Sequence, residues 1–325
     1  MFENKKILIT GGTGSLGTAL TKKFLKENVS TIRIFSRDEW KQTKMESEIN
    51  DERLRFLIGD VRDKERLSRA LEDIDIVIHA AALKQVPVAE YNPFEAVKTN
   101  IHGAQNIIEC SIDNKVDTVL AISTDKAVSP LNTYGATKLL MERMFVSKDY
   151  SNQNHKIKTM CVRYGNVLGS RGSLLPILVD QIKNKKKLTI TDPKMTRFNI
   201  TMNQSVDLIL RALQKGQGGE VFVPKLKAYE TGVMKDAITE IMNADNETQI
   251  INIRAGEKMH ESLISKDEVR NTFETDKDYV IEDTTFNKKL TYTKSSLTEQ
   301  YSSDSVTLLT KDEIKEILLN EKLLS

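Results

Sequence analysis

The sequence KKILITGGTGSLG at residues 5–17 decides the fold of the first part of the chain. Its apolar residues 5–10 predict a short buried strand, and an amphipathic pattern predicts a helix over residues 15–27. Glycines 11, 14 and 17 fall around the turn, where backbone amides and the helix N-terminus can receive a pyrophosphate. A plain tight turn is the alternative, but the strand and helix context favours a dinucleotide site. The residues of this predicted site are Gly11, Thr13, Gly14, Ser15, Leu16 and Gly17.

Four further apolar runs, at residues 31–35, 54–58, 74–78 and 119–122, predict more strands. Strands that alternate with helices at this spacing predict an α/β fold with a Rossmann-like, doubly wound parallel sheet, in which ligands bind at the carboxyl strand ends. Asp60 and Val61 follow one strand where an adenine would lie, although Asp60 is alternatively a helix cap. Ala80 and Ala81 follow another, and their small side chains let a dinucleotide approach the backbone. His79 is predicted to be a packed residue.

The end of the second predicted strand indicates which nicotinamide cofactor binds. An acidic residue there takes the adenosine ribose hydroxyls of NAD, whereas an arginine accommodates the additional phosphate of NADP. Here Ser36 and Arg37 precede Asp38, and Lys41 adds a positive charge. This order favours NADP over NAD, with a solvated arginine as the plain alternative.

A second stretch, STDKAVSPLNTYGATK at residues 123–138, has a catalytic layout. Thr124, Asp125 and Lys126 follow a strand end. Tyr134 and Lys138 lie four residues apart at the start of a predicted helix, so their side chains share one face. A phenol has a reference pKa of about 10, and a nearby ammonium lowers that pKa; the same ammonium can bind a cofactor ribose. For this pair alone, a buried tyrosine beside a solvated lysine at chance spacing is the alternative.

The composition limits the classes of partner. The chain has 325 residues, enough for one large or two modest domains. Its 48 Lys and Arg against 46 Asp and Glu give a nearly balanced charge, which argues against nucleic-acid and membrane partners. Cys110 and Cys161 lack the spacing of a metal site, so no metal is predicted, and both are expected to be reduced, buried thiols of a cytoplasmic protein. The first apolar run is too short for a signal peptide.

After about residue 168 the strand and helix rhythm weakens, which predicts a second, smaller domain. The expected division is a dinucleotide-binding Rossmann domain with the catalytic residues at 1–168 and a smaller α/β substrate domain at 169–325, with the chain free to cross between them. Arginines 163, 171, 197 and 254 lie near or within the second part. Guanidinium groups pair with phosphate oxygens, so a cleft bordered by them suits a nucleotide diphosphate, whereas each arginine alone is as readily a surface ion pair. The basic run 183–187 is predicted to be a solvated helix end.

Together these motifs resemble the extended short-chain dehydrogenase/reductase family, and within it the inverting UDP-N-acetylglucosamine 4,6-dehydratases of pseudaminic-acid biosynthesis. The resemblance covers nearly the whole chain. It is carried by ITGGTGS from Ile9, SRDE from Ser36, IGDVRD from Ile58, AAALK from Ala80, AEYNP from Ala89, STDKA from Ser123, RYGNV from Arg163, GEKMHE from Gly256 and YSS from Tyr301. Its specific part is the Thr-Asp-Lys at 124–126, where ordinary epimerases and retaining dehydratases carry other residues.

The resemblance implies a mechanism. Tyr134, as phenolate, takes the proton from the hydroxyl on sugar carbon 4 while NADP accepts the hydride, and Thr124 holds that oxygen. Lys126 removes the proton from carbon 5, and Asp125 protonates the hydroxyl that leaves carbon 6. A lysine is a base only when neutral, and lowering its pKa from about 10.4 towards 7 costs roughly 4 to 5 kcal/mol. Asp125 must be protonated, so the two residues titrate as one unit. A structural ion pair is the alternative for this Asp and Lys.

The resemblance also implies substrate contacts for UDP-N-acetylglucosamine. They are Lys84, Thr99, Asn166, Arg171, Arg197, Arg254 and Glu257, with Lys84 also near the cofactor. Arg171 and Arg254 suit the diphosphate, and Glu257 suits a ribose hydroxyl. Three positions depart from the family pattern on the substrate side: Gln85 replaces a histidine, Asn199 a tryptophan and Ala255 a proline. They leave the exact sugar open. Asn100 and Gly103 are expected to be structural.

Several alternatives stay open. The protein could instead be a UDP-N-acetylhexosamine 4-epimerase, or a dehydratase that feeds an N-acetylfucosamine-type pathway, although Tyr134 argues against the latter. A third class is a non-catalytic NADP-sensing module, which the retention of Asp125, Lys126, Tyr134 and Lys138 disfavours. In relatives, the helices corresponding to residues 102–114 and 133–148 form a four-helix bundle at the subunit interface. The resemblance therefore implies a homo-oligomer, either a dimer or a hexamer.

Overall fold

The computed structural model describes residues 2–147, 156–170, 172–253, 256–282 and 292–324. Six strands from the first half form the centre of one sheet: β1 (Lys6–Thr10), β2 (Thr31–Ser36), β3 (Leu54–Ile58), β4 (Ile76–His79), β5 (Thr118–Ile122) and β6 (Lys158–Val162). Their spatial order is 3-2-1-4-5-6, and every neighbouring pair is parallel. The strand order reverses between β1 and β4, which is where a doubly wound sheet opens a crevice for a dinucleotide.

Helices cover both faces of this sheet. They are α1 (Ser15–Phe24), α2 (Glu39–Ile49), α3 (Lys64–Leu71), α4 (Val86–Tyr91), α5 (Pro93–Val97), α6 (Gly103–Asp113) and α7 (Thr133–Val146), with a π-helical turn at Lys98–His102 and a 3₁₀ turn at Asp125–Ala127. Leu20 and Phe24 of α1 pack on one face, and Ile107 of α6 and Met141 of α7 pack on the other. Strand β1 is buried on both faces, as expected for a central strand between helical layers.

The second half supplies shorter elements. Its strands are β7 (Leu188–Ile190), β8 (Thr196–Phe198), β9 (Glu220–Pro224), β10 (Ala228–Glu230), β11 (Thr248–Ile250), β12 (Ser262–Ile264), β13 (Thr272–Glu274), β14 (Asp278–Glu282), β15 (Thr293–Lys294) and β16 (Tyr301–Ser302). Its helices are α8 (Leu174–Lys183), α9 (Met202–Lys215), α10 (Thr231–Ile241), α11 (Lys266–Val269) and α12 (Lys311–Asn320). A separate core unites α8, α10 and α12 through residues such as Leu178, Ile238 and Leu318.

The chain crosses back from the second half into the main sheet. Strand β9 lies parallel to β6, and β14, β13 and β15 follow as antiparallel neighbours, so the sheet has ten strands among the described residues. Helix α9 packs on the same sheet face as α1. The α/β fold and the doubly wound parallel sheet expected from the sequence are therefore confirmed.

Several local expectations differ in detail from the structure. Helix α1 ends at Phe24 because the next amides turn back with short-range bonds, from Lys26 N to Lys23 O and from Glu27 N to Phe24 O. The cap of α3 is Asp63, whose carboxylate accepts from Arg66 N, so Asp60 is not that cap. The packed role of His79 is confirmed: it is buried, and its Nδ1 lies 2.9 Å from Thr10 Oγ1.

Other expectations agree with the structure. Cys110 and Cys161 are buried free thiols, and residues 183–187 form an exposed helix end and turn. Asn100 is structural, since its amide bonds both Leu83 backbone groups and the Thr137 hydroxyl. Within the described ranges, no helix has the length and apolar character needed to cross a membrane.

Candidate active site

One cleft of about 1300 Å³ opens at the carboxyl ends of the parallel strands. It collects nearly all the residues that the sequence analysis assigned to cofactor, substrate and chemistry. The assigned residues that line it are Gly11, Thr13, Gly14, Ser15, Leu16, Gly17, Ser36, Arg37, Asp38, Lys41, Asp60, Val61, Ala80, Ala81, Lys84, Thr99, Thr124, Lys126, Tyr134, Lys138, Asn166, Arg197 and Glu257. Asp125 lies immediately behind this lining. Arg171, Arg254 and Ala255 fall outside the described residues.

The glycine-rich turn leaves its backbone open to an anion. Gly11 has a φ of +64°, and a Cβ there would lie 2.9 Å from Ala81 N, so the turn packs directly on the Ala80 and Ala81 backbone. Gly14 is the N-cap of α1 and offers no side-chain acceptor to the first amides of the helix. Gly17 is in contact with the backbone of the turn, where a Cβ would meet Gly12 O at 2.4 Å. Free amides at a helix N-terminus suit a pyrophosphate.

The end of β2 presents a hydroxyl and cations to the cleft. Ser36 Oγ lies 3.3 Å from Thr13 Oγ1 and accepts from Gln42 Nε2 at 3.0 Å. Asp38 is the N-cap of α2: its carboxylate accepts from Lys41 N at 3.0 Å and pairs with the Lys41 ammonium. Arg37 is 60% exposed and lies 3.7 Å from the Asp60 carboxylate. The acidic group at this strand end is thus already engaged by its own helix.

Asp60 is held in its loop by Arg62. Its carboxylate accepts from the Arg62 backbone amide at 2.9 Å and from Arg62 Nη2 at 2.7 Å. Burial opposes ionisation of Asp60, but these hydrogen bonds outweigh burial and keep the pKa of Asp60 below its ordinary value. Asp60 therefore remains an acceptor at the edge of the cleft.

The catalytic turn, as the turn with the predicted catalytic residues Thr124, Asp125 and Lys126 is called below, lies between β5 and α7. Thr124 Oγ1 donates to Asp125 Oδ1 at 2.8 Å, and Lys126 Nζ donates to the same oxygen at 3.0 Å. Lys126 Nζ also lies 3.3 Å from Asn166 Oδ1. Helix α7 begins directly against this turn, since a Cβ on Gly135 would lie 2.1 Å from Lys126 O. Close packing of helix and turn brings Tyr134 to the same part of the cleft as Lys126.

Lys126 is charged in the structure, whereas a lysine that acts as a base must be neutral. Burial favours the neutral amine, but the carboxylates of Asp125 and Glu261 outweigh it and raise the pKa of Lys126 above its ordinary value. Glu261 Oε1 lies 3.9 Å from Lys126 Nζ. Lys126 is therefore an ammonium in an ion pair with Asp125.

The pKa of Tyr134 is raised, whereas the sequence predicted that a nearby ammonium would lower it. Burial raises its pKa to about 12, although the Lys126 charge and hydrogen bonding with Thr124 oppose this rise. The cation that acts on the phenol is thus Lys126 and not Lys138. Lys138 Nζ donates to Met141 Sδ at 3.0 Å, and burial lowers the pKa of Lys138 to about 8. The shared helix face is as expected, but desolvation outweighs the predicted lowering of the phenol pKa.

Two of the grouped arginines have different environments. Arg197 lines the cleft, lies 3.3 Å from Glu257 and donates to the carbonyl oxygens of Thr196 and Met259. Arg163 is buried and does not border the cleft, which corrects its grouping with the phosphate-binding arginines. Its guanidinium is bidentate both to Glu142 and to Glu268. The two carboxylates come from different halves of the chain, and only the tertiary fold brings them to Arg163.

Glu261 is a cleft residue with no role predicted from the sequence. This residue lines the cleft and is 4% exposed. It is the last residue of the GEKMHE motif, and an acidic residue in that motif was the sequence signal that could have identified it. Of the three departures from the family pattern, Gln85 lines the cleft and Asn199 is buried, with its Oδ1 lacking a hydrogen-bond partner in the described part of the chain.

Several known proteins are similar to this chain over most of its length. An inverting UDP-N-acetylglucosamine 4,6-dehydratase from Campylobacter jejuni is 48% identical over 86% of this chain and 84% of its own. A UDP-glucose 4-epimerase from Rickettsia felis is 43% identical over 98% of this chain and 97% of its own. The X-ray structure of Pen from Bacillus thuringiensis superposes with a TM-score of 0.94, 38% identity and complete coverage of both chains.

Other solved structures share the fold at lower identity. A UDP-glucuronic acid 4-epimerase from Bacillus cereus, in complex with UDP-glucuronic acid and NAD, has a TM-score of 0.70 and 25% identity over 78% of this chain and 88% of its own. Residues 7–283 match the model of a family described as polysaccharide biosynthesis protein. The chain therefore belongs to this polysaccharide biosynthesis family, and within it is similar to the inverting UDP-N-acetylglucosamine 4,6-dehydratases.

Proposed function

We propose that the protein is a lyase that converts UDP-N-acetylglucosamine to a UDP-4-keto-6-deoxy-N-acetylhexosamine with inversion at carbon 5, through transient use of a tightly bound NADP. One observation carries this proposal: the buried Tyr134 phenol and the amine and carboxyl cluster at Lys126 meet at a single cleft. A phenol with a nicotinamide suffices for oxidation at carbon 4. An amine beside carboxyl groups adds the means to eliminate water.

The cleft fits a nicotinamide dinucleotide. The uncapped N-terminus of α1 and the Gly11 turn, which a Cβ would fill, suit the pyrophosphate. Lys138 is in reach of a ribose that lies along the same wall, because it lines the cleft together with Tyr134. A nicotinamide held there would supply the hydride chemistry, taking a hydride from sugar carbon 4 and giving it back at carbon 6, with no net redox change.

The end of β2 favours NADP over NAD. The residue at the strand end is Ser36 and not an acid, its hydroxyl lies beside Thr13, and Arg37 is exposed next to it. Asp38 points its carboxylate at the start of α2, where it is engaged by Lys41. An additional phosphate at this position would meet a hydroxyl and a guanidinium instead of a repelling carboxylate.

Arg37→Gln tests this cofactor preference. We expect the variant to bind NADP about tenfold more weakly, because it loses a charged contact to the phosphate, and to bind NAD within about twofold of the unmodified protein. Titration of both cofactors by intrinsic fluorescence or calorimetry measures this difference. A wild-type protein that binds NAD more tightly than NADP would overturn the preference.

The remaining roles are proposed from the positions of the described side chains together with the family resemblance. Tyr134, beside Thr124, holds the proton from the hydroxyl on carbon 4. The resulting ketone acidifies the proton on carbon 5, and Lys126 removes it. A carboxylic acid next to Lys126 protonates the departing hydroxyl of carbon 6, a role that the family resemblance gives to Asp125. Lys84, Thr99, Asn166, Arg197 and Glu257, with Arg171 and Arg254, are proposed to hold the sugar nucleotide.

A UDP-sugar 4-epimerase is the second candidate, because the Rickettsia relative carries that name at 43% identity. Epimerisation needs oxidation and reduction at carbon 4 but no proton removal at carbon 5. Lys126 Nζ lies 3.0 Å from Asp125 Oδ1 in an ion pair near the Tyr134 phenol. This ion pair has no role in epimerisation. This cluster is the reason for ranking the dehydratase first.

The decisive experiment is incubation of the purified protein with UDP-N-acetylglucosamine in deuterated water, followed by mass spectrometry and proton NMR. We expect loss of one water, a 4-keto-6-deoxy sugar with deuterium at an inverted carbon 5, and no net NADPH. Retention at carbon 5 would contradict the roles of Lys126 and its carboxyl partner. An unchanged mass with inverted carbon 4 would establish the epimerase.

A further inference from the structure

A second cavity lies beside α7 and shares no lining residue with the cleft. Its volume is about 340 Å³, and ligand pockets have volumes of about 300 to 1,000 Å³. Its walls come from the segment that follows the catalytic turn, from α7, from α11 and from strands β9 and β14. We call this space the rear cavity.

The rear cavity and the cleft are lined by the same two elements. In the segment between β5 and α7, Lys126 lines the cleft, and residues 127–130 line the rear cavity. In α7, Tyr134 and Lys138 line the cleft, and Arg143 lines the rear cavity. A ligand in the rear cavity would therefore contact the segment and the helix that position the predicted catalytic side chains.

The buried guanidinium in the lining of the rear cavity, that of Arg163, is fully engaged by the protein. Arg163 makes two hydrogen bonds to Glu142, two to Glu268 and one to Leu263 O. A guanidinium has five N–H donors, so Arg163 has none left for a ligand. Any ligand contacts have to come from the more exposed side chains of the cavity.

Two exposed arginines of the rear cavity have donors to spare. Arg143 of α7 and Arg270, directly after α11, both line it, and neither side chain has a hydrogen bond or ion pair within the described ranges. Asp267 adds an exposed carboxylate to the same lining, whereas Glu282 already has a partner. Guanidinium groups bind phosphate and carboxylate oxygens, and a carboxylate accepts hydrogen bonds from hydroxyl groups.

The segment 127–130 connects the rear cavity to the wall of the cleft. Ser129 has a φ of +46°, which residues other than glycine rarely adopt. Next to it, Val128 O accepts from Lys258 Nζ at 2.6 Å, and Asn132 Nδ2 donates to Gly256 O at 3.1 Å. Gly256 lines the cleft. A ligand that displaced residues 127–130 would therefore also act on the cleft.

We propose that the rear cavity is a second ligand site, for a small hydroxylated organic anion such as a sugar phosphate or a sugar acid, and that its occupancy alters turnover in the cleft. Arg143 and Arg270 bind the phosphate or carboxylate, and Asp267 accepts from hydroxyl groups. Binding at this site is independent of the reaction in the cleft. Only the effect on turnover rests on the function proposed above.

Calorimetric titration of the full chain tests the site, with glucose 6-phosphate and glucuronate as probes and UDP present to occupy the cleft. We expect at least one probe to bind at a single site with a Kd below about 1 mM, and uncharged glucose to bind at least about tenfold more weakly. The double variant Arg143→Gln, Arg270→Gln should weaken binding of the probe at least about tenfold. Arg69→Gln, at an exposed position of α3, is the matched control and should bind as the wild type does.

Three binding results would overturn the site. They are no saturable binding of either probe, undiminished binding in the double variant, and inorganic phosphate that binds as tightly as the probes, which would indicate an adventitious ion only.

The effect on turnover is measured separately, as loss of water from UDP-N-acetylglucosamine at saturating substrate. The bound probe should change the rate at least about twofold in the wild type and leave the rate of the double variant unaltered. Probe binding without any change in the wild-type rate would overturn the coupling between the two spaces. A wild-type protein that binds the probe but never converts UDP-N-acetylglucosamine would refute the proposed function and not the rear site.

Discussion

At the scale of single residues, Lys138 is a buried cation in an environment that disfavours its charge. The residue is 3% exposed, its Nζ donates to the sulfur of Met141, and burial lowers its pKa from 10.5 to about 8. Between these two values the native state binds fewer protons than the unfolded state, so the free energy of unfolding rises with pH there. Below about pH 8 the full cost of the buried charge remains, about 3 kcal/mol for this shift.

Replacement of Lys138 by methionine should therefore stabilise the cofactor-free protein while abolishing activity. We expect the free energy of unfolding at neutral pH to rise by up to about 3 kcal/mol, and the difference from wild type to shrink as the pH approaches 10. Urea titrations at both pH values measure this change. Lys22→Met, at an exposed position of α1, is the control and should alter neither value. If the difference in the free energy of unfolding does not depend on pH, the stabilisation does not come from removing the buried charge of Lys138.

Lys126 and Tyr134 should fail at different steps of the reaction. In Lys126→Met the carbon 5 base is absent, so turnover should fall by about 10² to 10⁴, while hydride transfer from carbon 4 still proceeds. Reduced nicotinamide should then build up on mixing with substrate and be visible by its near-ultraviolet absorbance. Tyr134→Phe should be equally inactive without that absorbance. If Lys126→Met shows no such absorbance, Lys126 is already required for hydride transfer from carbon 4.

At the scale of elements, a buried ionic triad ties the catalytic helix to the second half of the chain. Arg163, which directly follows β6, bonds Glu142 of α7 at 2.6 and 2.9 Å and Glu268 of α11 at 2.9 and 3.0 Å. It also donates to Leu263 O in β12, the strand that follows Glu261. Burial opposes ionisation of Glu268, but Arg163 outweighs it and lowers the pKa of Glu268. The triad thus fixes α7 and the Glu261 segment relative to one another.

Arg163→Met should be strongly destabilising, because it removes the cation that pairs with the buried Glu142 and the half-buried Glu268. We expect a loss of about 3 to 5 kcal/mol in the free energy of unfolding at neutral pH, measured by urea denaturation. The pKa of Glu268 is lower in the folded protein than in the unfolded chain, so pairing with Arg163 stabilises the fold above the unfolded pKa of about 4. The loss of stability in Arg163→Met should therefore diminish as the pH falls through this value. The combined variant Arg163→Met, Glu142→Gln, Glu268→Gln should recover part of it. A combined variant that is no more stable than Arg163→Met would assign the loss to packing instead of charge.

The elements that the sequence predicted well are those specified by local pattern. The apolar run before Gly11, the glycines themselves and the Tyr134 to Lys138 spacing each occupy a few consecutive residues, and their positions in β1, the turn and α7 are as expected. The return of β9, β13 and β14 to the sheet was not specified, because these short strands pair only through contacts distant in sequence. The same holds for Glu261 and for the raised pKa of Tyr134, since burial by the whole fold determines both.

At the scale of the whole molecule, three neighbouring helices expose large apolar side chains. Tyr91 at the end of α4, Phe94 in α5 and Leu140 in α7 are 89%, 80% and 47% exposed, and these three helices contact each other. By contrast, Gln105 and Glu109 give α6 a polar outer side. Neighbouring exposed apolar residues indicate a surface that is covered in the functional protein. The predicted homo-oligomer supplies a cover, since a two-fold axis would pair this surface with its own copy.

We therefore expect the protein to be at least a dimer in solution, with the α4, α5 and α7 surface at its interface. The double variant Phe94→Lys, Leu140→Lys should shift it towards the monomer, because two buried charges on each side would face their copies across the axis. Light scattering coupled to size exclusion measures the mass directly. Leu319→Lys, at an equally apolar and 58% exposed site on α12, is the matched control and should leave the mass unchanged. If the Leu319 variant dissociates and the double variant does not, the interface lies on the smaller part of the protein. A monomeric wild-type protein would contradict the prediction.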